Sequence, residues 1–246
     1  MEFDLSLLLQ VSDISHHQGY PPRFPVVDFR KMKYWGFLGC IHRASHGKDH
    51  DNAFVYNWPA CRLVMPCSSY HFYENWIEPK RQAEKYWTVI EKDPAGMMWL
   101  DLEDRSIGDY YHWDYWYQWI ERLKQISGYD DEDIGIYSSR SYILENFKTA
   151  SAATKLYFKD HKFWFADYGP RGSDPLRADF SIKRTPFPYE DSDVLLVQTG
   201  TPTVGLAAGV YSNEIDYNRV NGYRAFNKIF GLNPSQGSLH IDIRRI

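Results

Sequence analysis

The chain has 246 residues, 28 basic and 32 acidic, and a net charge of -4 with no basic stripe excludes a protein that grips nucleic acid by neutralising phosphates. That length suits one large domain, and α/β barrels of this size are commonly single domains. An apolar share of 43% fills a sizeable core, while 9 Trp and 19 Tyr exceed what that core needs and leave aromatic surface for a ligand.

From the N-terminus, "MEFDLSLLLQVSD" has an acid where a secretory signal needs positive charge, and its apolar run is short. Synthesis in the cytoplasm is the expectation. No stretch approaches a transmembrane span, so no stable membrane association is expected. "LSLLLQVSD" (5–13) reads as a first strand and "GFLGCIHRAS" (36–45) as a second. The helix-compatible "NAFVYNWPAC" (52–61) leads into a third strand, "RLVMPCSSYHFY" (62–73), and "KRQAEKYWTVIEKD" (80–93) reads as a helix. "GMMWLDLED" (96–104) gives a fourth strand. "DYYHWDYWYQWIERLKQISG" (109–128) is a helix with Trp116, Ile120 and Leu123 on one face and Gly128 as its stop. "DIGIYSS" (133–139), "KFWFADYG" (162–169), "DVLLVQTG" (193–200) and "GVYSNEIDYN" (209–218) supply further strands. Strands alternating with helices predict an α/β fold, a single-domain β/α barrel that is irregular in its later half. The expected division is a barrel over 1–230 and a short C-terminal tail over 231–246.

Three acids follow the apolar run of the fourth strand: Asp101, Glu103 and Asp104. Residues two apart in a strand share a face, with roughly 6.5–7 Å between their Cα atoms. Asp101 and Glu103 therefore sit side by side, while Leu100 and Leu102 point the other way. An isolated D-x-E is ordinarily a wet strand face. Here the preceding "GMMWL" is apolar on both faces, as in a strand covered on both sides, and the acids come at the strand end that carries the active site in parallel barrels. Asp13 ends another apolar run, and Asp216 lies in "NEIDYN", which reads as near the end of the last strand. Closure of the sheet makes first and last strands neighbours, so Asp13 and Asp216 meet across the seam. Clustered carboxylates push one pKa up, which serves glycosidic cleavage by a protonated acid; they also bind divalent cations, and the residues alone leave both chemistries open.

"DISHHQG" (13–19), "IHRASHG" (41–47), "SYHF" (69–72), "LDLE" (100–103), "GIYSS" (135–139), "FWFADY" (163–168) and "IDYNRVNG" (215–222) occur in the order found in family 25 of the glycoside hydrolases, which the chain resembles over about residues 8 to 222. These are N-acetylmuramidase lysozymes, common among bacterial and phage lysins. The resemblance implies a modified TIM-like barrel that cleaves the β-1,4 bond between N-acetylmuramic acid and N-acetylglucosamine. By position it implies Glu103 as general acid and Asp101 as the group that orients and charge-stabilises the substrate's N-acetyl group. Asp13 and Asp216 complete an acidic floor, and Tyr70, Tyr137, Trp164 and Gln198 line the sugar cleft. It implies no cofactor and no metal, bacterial peptidoglycan as partner with action at the cell wall, and a holin or virion component for delivery. Val197 and His46 depart from the family's usual aromatic and acidic residues, which puts the cleft wall and substrate preference in question.

Rival readings are a catalytically silent glycan-binding or virion structural protein on the same scaffold, and a glucosaminidase or chitinase-like hydrolase. Among the histidines, no pair has zincin spacing, and His71 reads as a hydrogen-bonded core residue. Cys40, Cys61 and Cys67 form no CxxC pair and read as reduced core thiols. Tyr110 and Tyr111 are expected at the cleft rim.

Overall fold

The structure, a computed structural model, describes residues 9–168 and 185–233. Among them are the strands β1 (Gln10–Ile14), β2 (Gly39–His46), β3 (Asp49–His50), β4 (Cys67–Phe72), β5 (Met98–Leu102), β6 (Ile134–Ser139), β7 (Lys162–Ala166), β8 (Val194–Gly200) and β9 (Tyr217–Val220). The helices are α1 (Phe29–Tyr34), α2 (Phe54–Arg62), α3 (Pro79–Val89), α4 (Trp113–Ser127), α5 (Arg140–Asn146), α6 (Ala152–Lys159), α7 (Gly205–Ala208) and α8 (Gly222–Ile229). The strand order β1-β9-β8-β7-β6-β5-β4-β2 closes through a β1–β2 pairing, and the two-residue β3 folds back on β2. This is a single-domain α/β barrel. All its wall strands run parallel except β9, which is antiparallel to both β8 and β1.

Strand periodicity sorts the apolar residues into two layers. Val11, Ile41, Tyr70, Trp99, Tyr137, Trp164, Leu196 and Val220, one from each wall strand, meet in one cluster, which is the barrel interior. Their neighbours in sequence, such as Cys40, Met98, Leu100, Leu102, Ile136, Phe163 and Phe165, pack outward with helix residues. Trp116, Trp119, Ile120 and Leu123 form the buried stripe of α4, and Gly128 ends that helix at φ 77°, as the sequence predicts. Burying Ile120 and Leu123 contributes about 1.5–3 kcal/mol each.

Two glycines permit close approaches that fix the interior. A Cβ on Gly135 would lie 2.3 Å from the Trp99 ring, so β6 leaves space there for the indole. A Cβ on Gly96 would lie 2.4 Å from the Ile229 carbonyl, where the end of α8 docks beneath β5. Ala225, Phe226 and Ile229 of α8, with Phe230, join the interior cluster and close that end of the barrel. Leu232 packs against the same cluster. Residues 5–8 of the expected first strand and 234–246 of the expected tail lie outside the described residues. One expectation is corrected: Asp216 precedes β9 instead of ending it. Because β9 is antiparallel, its start faces the barrel end where the parallel strands finish, so the acid still reaches that mouth.

Candidate active site

The same alternation that places Val11 and Trp99 in the interior carries on to the mouth. Asp13 and Asp101 are the next inward residues on β1 and β5, and Glu103 follows Asp101 just past the strand. On β9, Asn218 lies opposite Val11, and continuing that antiparallel register by two residues sets Asp216 opposite Asp13. Asp13, Tyr70, Asp101, Glu103, Tyr137, Trp164, Gln198 and Asp216, all selected from sequence, line one cavity of about 340 Å³. Ser15, His17, Arg43, Phe72 and Tyr168 complete its wall.

Beneath the mouth a hydrogen-bond network fixes Asp13. Tyr137 and Tyr168 donate their hydroxyls to Gln198 Oε1 at 2.7 and 2.8 Å, which turns the Gln198 Nε2 toward Asp13 Oδ2 at 3.0 Å. Asn218 Nδ2 donates to the same oxygen at 2.8 Å, and Trp164 Nε1 donates to Asn218 Oδ1 at 2.7 Å. Trp164 is only 2% exposed, so it serves as floor and spacer, whereas Tyr168 is 53% exposed and offers a ring face at the rim. Trp164 also meets Tyr137 edge-on at 4.6 Å and Trp99 at 5.6 Å.

Charge is distributed unevenly among the four acids. Burial lifts the Asp13 carboxyl to about 6, and the hydrogen bonds from Asn218 and Gln198 restrain it. Burial, then the charges of Asp13 and Glu103, pushes Asp216 up to about 9. Burial, then Glu103 and Asp13, holds Asp101 well above the ordinary carboxylate range. Glu103 is the exposed member, yet enough protein surrounds its carboxyl for desolvation, and next the Asp13 charge, to raise it. Asp13 thus ionises before Asp216, and burial with mutual charge raises all four carboxyls. One oxygen of Asp101, Oδ1, is buried without a hydrogen-bond partner.

Arg43 opposes this accumulation of acid and lowers both Asp101 and Glu103. Its Nε donates to Asp51 Oδ2 at 2.7 Å, and its Nη2 touches His16 Nδ1. The buried Asp51 also accepts the backbone N–H groups of His16 at 3.0 Å and Ala53 at 2.9 Å. Burial by itself would raise Asp51, but the Arg43 charge overrides it and holds that carboxyl below its usual range.

Sequence reasoning selected neither Arg43, Tyr168 nor Asn218, although each lies inside a motif it singled out. The signal was strand parity: Arg43 follows Ile41 on the inner face, and Asn218 follows Asp216. Tyr110 and Tyr111 do not line the mouth. The Tyr110 ring meets Tyr115 at 5.2 Å, and Tyr111 borders a separate surface groove with His112 and Tyr117. Val197 points outward into the helix layer and His46 pairs with Glu74 at 2.7 Å, so neither departure from the family pattern touches the cavity. His71 is the expected core histidine, held by Ser45 Oγ at 2.8 Å and Gln82 Oε1 at 3.0 Å and kept neutral by burial, which lowers it to about 3. No helix of the described residues is long and apolar enough to cross a membrane.

No curated protein matches the chain significantly. Solved structures do. The bacterial lysozyme from Streptomyces coelicolor superposes with a TM-score of 0.66 at 18% identity, covering 92% of this chain and 98% of that one. A family 25 glycosyl hydrolase from Bacillus anthracis gives 0.65 at 16% identity, over 94% and 96%. The catalytic domain of endolysin ply40 from bacteriophage P40 of Listeria monocytogenes gives 0.65 at 20% identity, over 91% and 98%. At these identities the likeness is one of fold. The model of the glycosyl hydrolases family 25 matches residues 12–192, which span the strands that carry Asp13, Arg43, Tyr70, Asp101, Tyr137 and Trp164 and the position of Glu103. The chain therefore belongs to glycosyl hydrolase family 25 and is a glycoside hydrolase.

Proposed function

We propose that the chain is a peptidoglycan hydrolase of muramidase type, cutting the β-1,4 bond between N-acetylmuramic acid and N-acetylglucosamine, with residues 1–230 as its catalytic barrel. The observation that carries this reading is the unpartnered Asp101 Oδ1 in a mouth shared with three other carboxyls. A buried acceptor without a donor is costly, by about 1–3 kcal/mol. The amide N–H of a 2-acetamido sugar satisfies it and in doing so aims the acetamido carbonyl at the anomeric carbon.

In this reading Glu103, at the open side of the mouth and with its pKa raised by burial and the Asp13 charge, gives a proton to the leaving glycosidic oxygen. The acetamido carbonyl forms the bond to the anomeric carbon as that oxygen departs, and Asp101 stabilises the positive charge left on the amide. Asp13 is the fixed anion that adds to the rise in the Glu103 pKa, and Asp216 shares the acidic floor. Tyr70, Tyr137 and Gln198 shape the cleft with Trp164, and Tyr168 supplies a ring face for a sugar. The family and the lysozyme and endolysin neighbours support peptidoglycan as substrate and the bacterial cell wall as place of action. Delivery there by a holin or a virion component belongs to the same reading.

Incubation with purified peptidoglycan, borohydride reduction of the soluble products and mass spectrometry of their ends tests the assignment. Reduced muramic acid ends are expected. Reduced glucosamine ends would move the cut to the other bond, and wall binding without new ends would leave a glycan-binding protein.

A further inference from the structure

On the face of β2 opposite Arg43, the three cysteines that look unrelated in sequence come together with a histidine. Cys40 and His42 are two apart and both point outward. Cys67 sits beside Cys40 in register on β4, and Cys61 descends from α2. Ligand atoms of Cys40, His42 and Cys61 all lie within 4.8 Å of one another, and all three residues are at most 2% exposed. The Cys67 thiol, 3% exposed, neighbours both Cys61 and His42.

Three thiols alone would be ordinary core residues. The histidine changes the reading. Its ring is enclosed by Phe29 at 5.6 Å, Phe54 at 6.3 Å and Trp58 at 5.5 Å, and its Nε2 is buried with no hydrogen-bond partner of proper geometry. The polar groups the ring faces are the thiols of Cys40 and Cys67. An unsatisfied imidazole nitrogen in an aromatic pocket is unfavourable, and sulfur is too weak an acceptor to offset it.

We propose that Cys40, His42 and Cys61, completed by Cys67, form a structural zinc site that ties α2 to the barrel wall. Tetrahedral zinc with Zn–S near 2.3 Å and Zn–N near 2.0–2.1 Å needs ligand atoms roughly 3.4–3.8 Å apart. For Cys40, His42 and Cys61 the 4.8 Å bound leaves about 1 Å to close, within the range of small side-chain rotations, and Cys67 joins them by turning its thiol from the Met65 carbonyl, to which it donates at 3.3 Å. Thiolate and imidazole are the donors that select zinc over calcium or magnesium. Each ligating thiol releases its proton to solvent as the Zn–S bond forms, so three thiolates and a neutral imidazole leave the site with a net charge of -1. All four protein positions are then filled, as in closed structural sites, and the ion takes no part at the mouth on the other face of the strand.

The full chain, incubated with excess zinc chloride and desalted, is assayed for bound metal by mass spectrometry beside Cys40→Ser and Cys61→Ala. One zinc per native chain, lost in both variants, is expected, together with a higher Tm on zinc addition for the native chain alone. Cobalt(II) should give the native chain a thiolate-to-metal charge-transfer band and intense tetrahedral visible bands. That readout needs no variant and stands even where a variant does not fold. A folded native chain that keeps no zinc, or one that gives no charge-transfer band, overturns the site. Zinc retained equally by folded variants also overturns it, placing the ion on surface histidines instead.

Discussion

Asn218 Nδ2 lies 2.8 Å from Asp13 Oδ2, across the antiparallel pairing of the last strand with the first. The same amide accepts the Trp164 indole N–H at 2.7 Å, so one buried side chain ties the acidic floor to the aromatic floor. Removing it leaves two orphans. Asn218→Ala should destabilise the fold by about 1–3 kcal/mol in urea unfolding, because the indole donor loses its acceptor in a buried site. It should also raise the Asp13 pKa and lower turnover on soluble peptidoglycan fragments at pH 7. A variant with native stability would break the claimed linkage between the two floors.

Glu103 projects into the mouth with no hydrogen bond that the barrel depends on among those of the described residues. Glu103→Gln should therefore leave Tm unchanged to within a degree or so while cutting the rate by about 10²–10⁴-fold, the range of a lost general acid. Paired melting curves and reducing-end assays check both halves. Comparable rates would remove Glu103 from the proposed role.

Two substitutions should move the basic limb of the pH–rate profile in opposite directions. The active form carries a protonated Glu103, so kcat/KM falls as pH rises through its raised pKa. The Asp13 charge contributes to that rise, and Arg43 opposes it. Asp13→Asn should shift the limb to lower pH, and Arg43→Gln to higher pH. Profiles that shift together, or not at all, would show that another group sets the limb.

Asp216 makes the stability of the protein depend on pH with a definite sign. Its carboxyl ordinarily titrates near 3.8 and sits at about 9 in the fold. Between those values the unfolded chain has released a proton that the folded chain retains. The folded state then binds more protons, and stability declines as pH rises through that window. Tm should accordingly drop between pH 5 and pH 9, and Asp216→Asn should flatten the decline. Asp13, at about 6 in the fold, adds a contribution of the same sign over a narrower window below neutrality.

Much of the wall and the mouth was legible because strand periodicity is a local property. Asp101 and Glu103 follow Trp99 on one face, and an apolar run such as "GMMWL" announces burial on both sides. The direction of β9 was not legible, since nothing local distinguishes an antiparallel return from another parallel strand. Asp216 was accordingly placed at the wrong end of its strand, though at the right end of the barrel. Arg43 escaped because its partner, Asp51, sits beyond a tight hairpin and pairs with it only in space. The thiols of Cys40, Cys61 and Cys67 share a pocket only through a strand pairing and a helix docking, which spacing along the chain does not encode. Tyr110 and Tyr111 were drawn toward the cleft by sequence proximity to Asp101, whereas the Asn75 amide, bonded to the Asp104 and Ser106 carbonyls at 2.8 Å, fastens that loop to the one after β4.

The α8 plug has a practical consequence for engineering. It seals the end of the barrel away from the carboxyls, and Leu232 is packed there as well. Anything joined after Asn233 begins its path on the sealed side. A wall-targeting module or an immobilisation tag attached at that point should trail behind the enzyme, leaving long polymer strands free to thread past the open side.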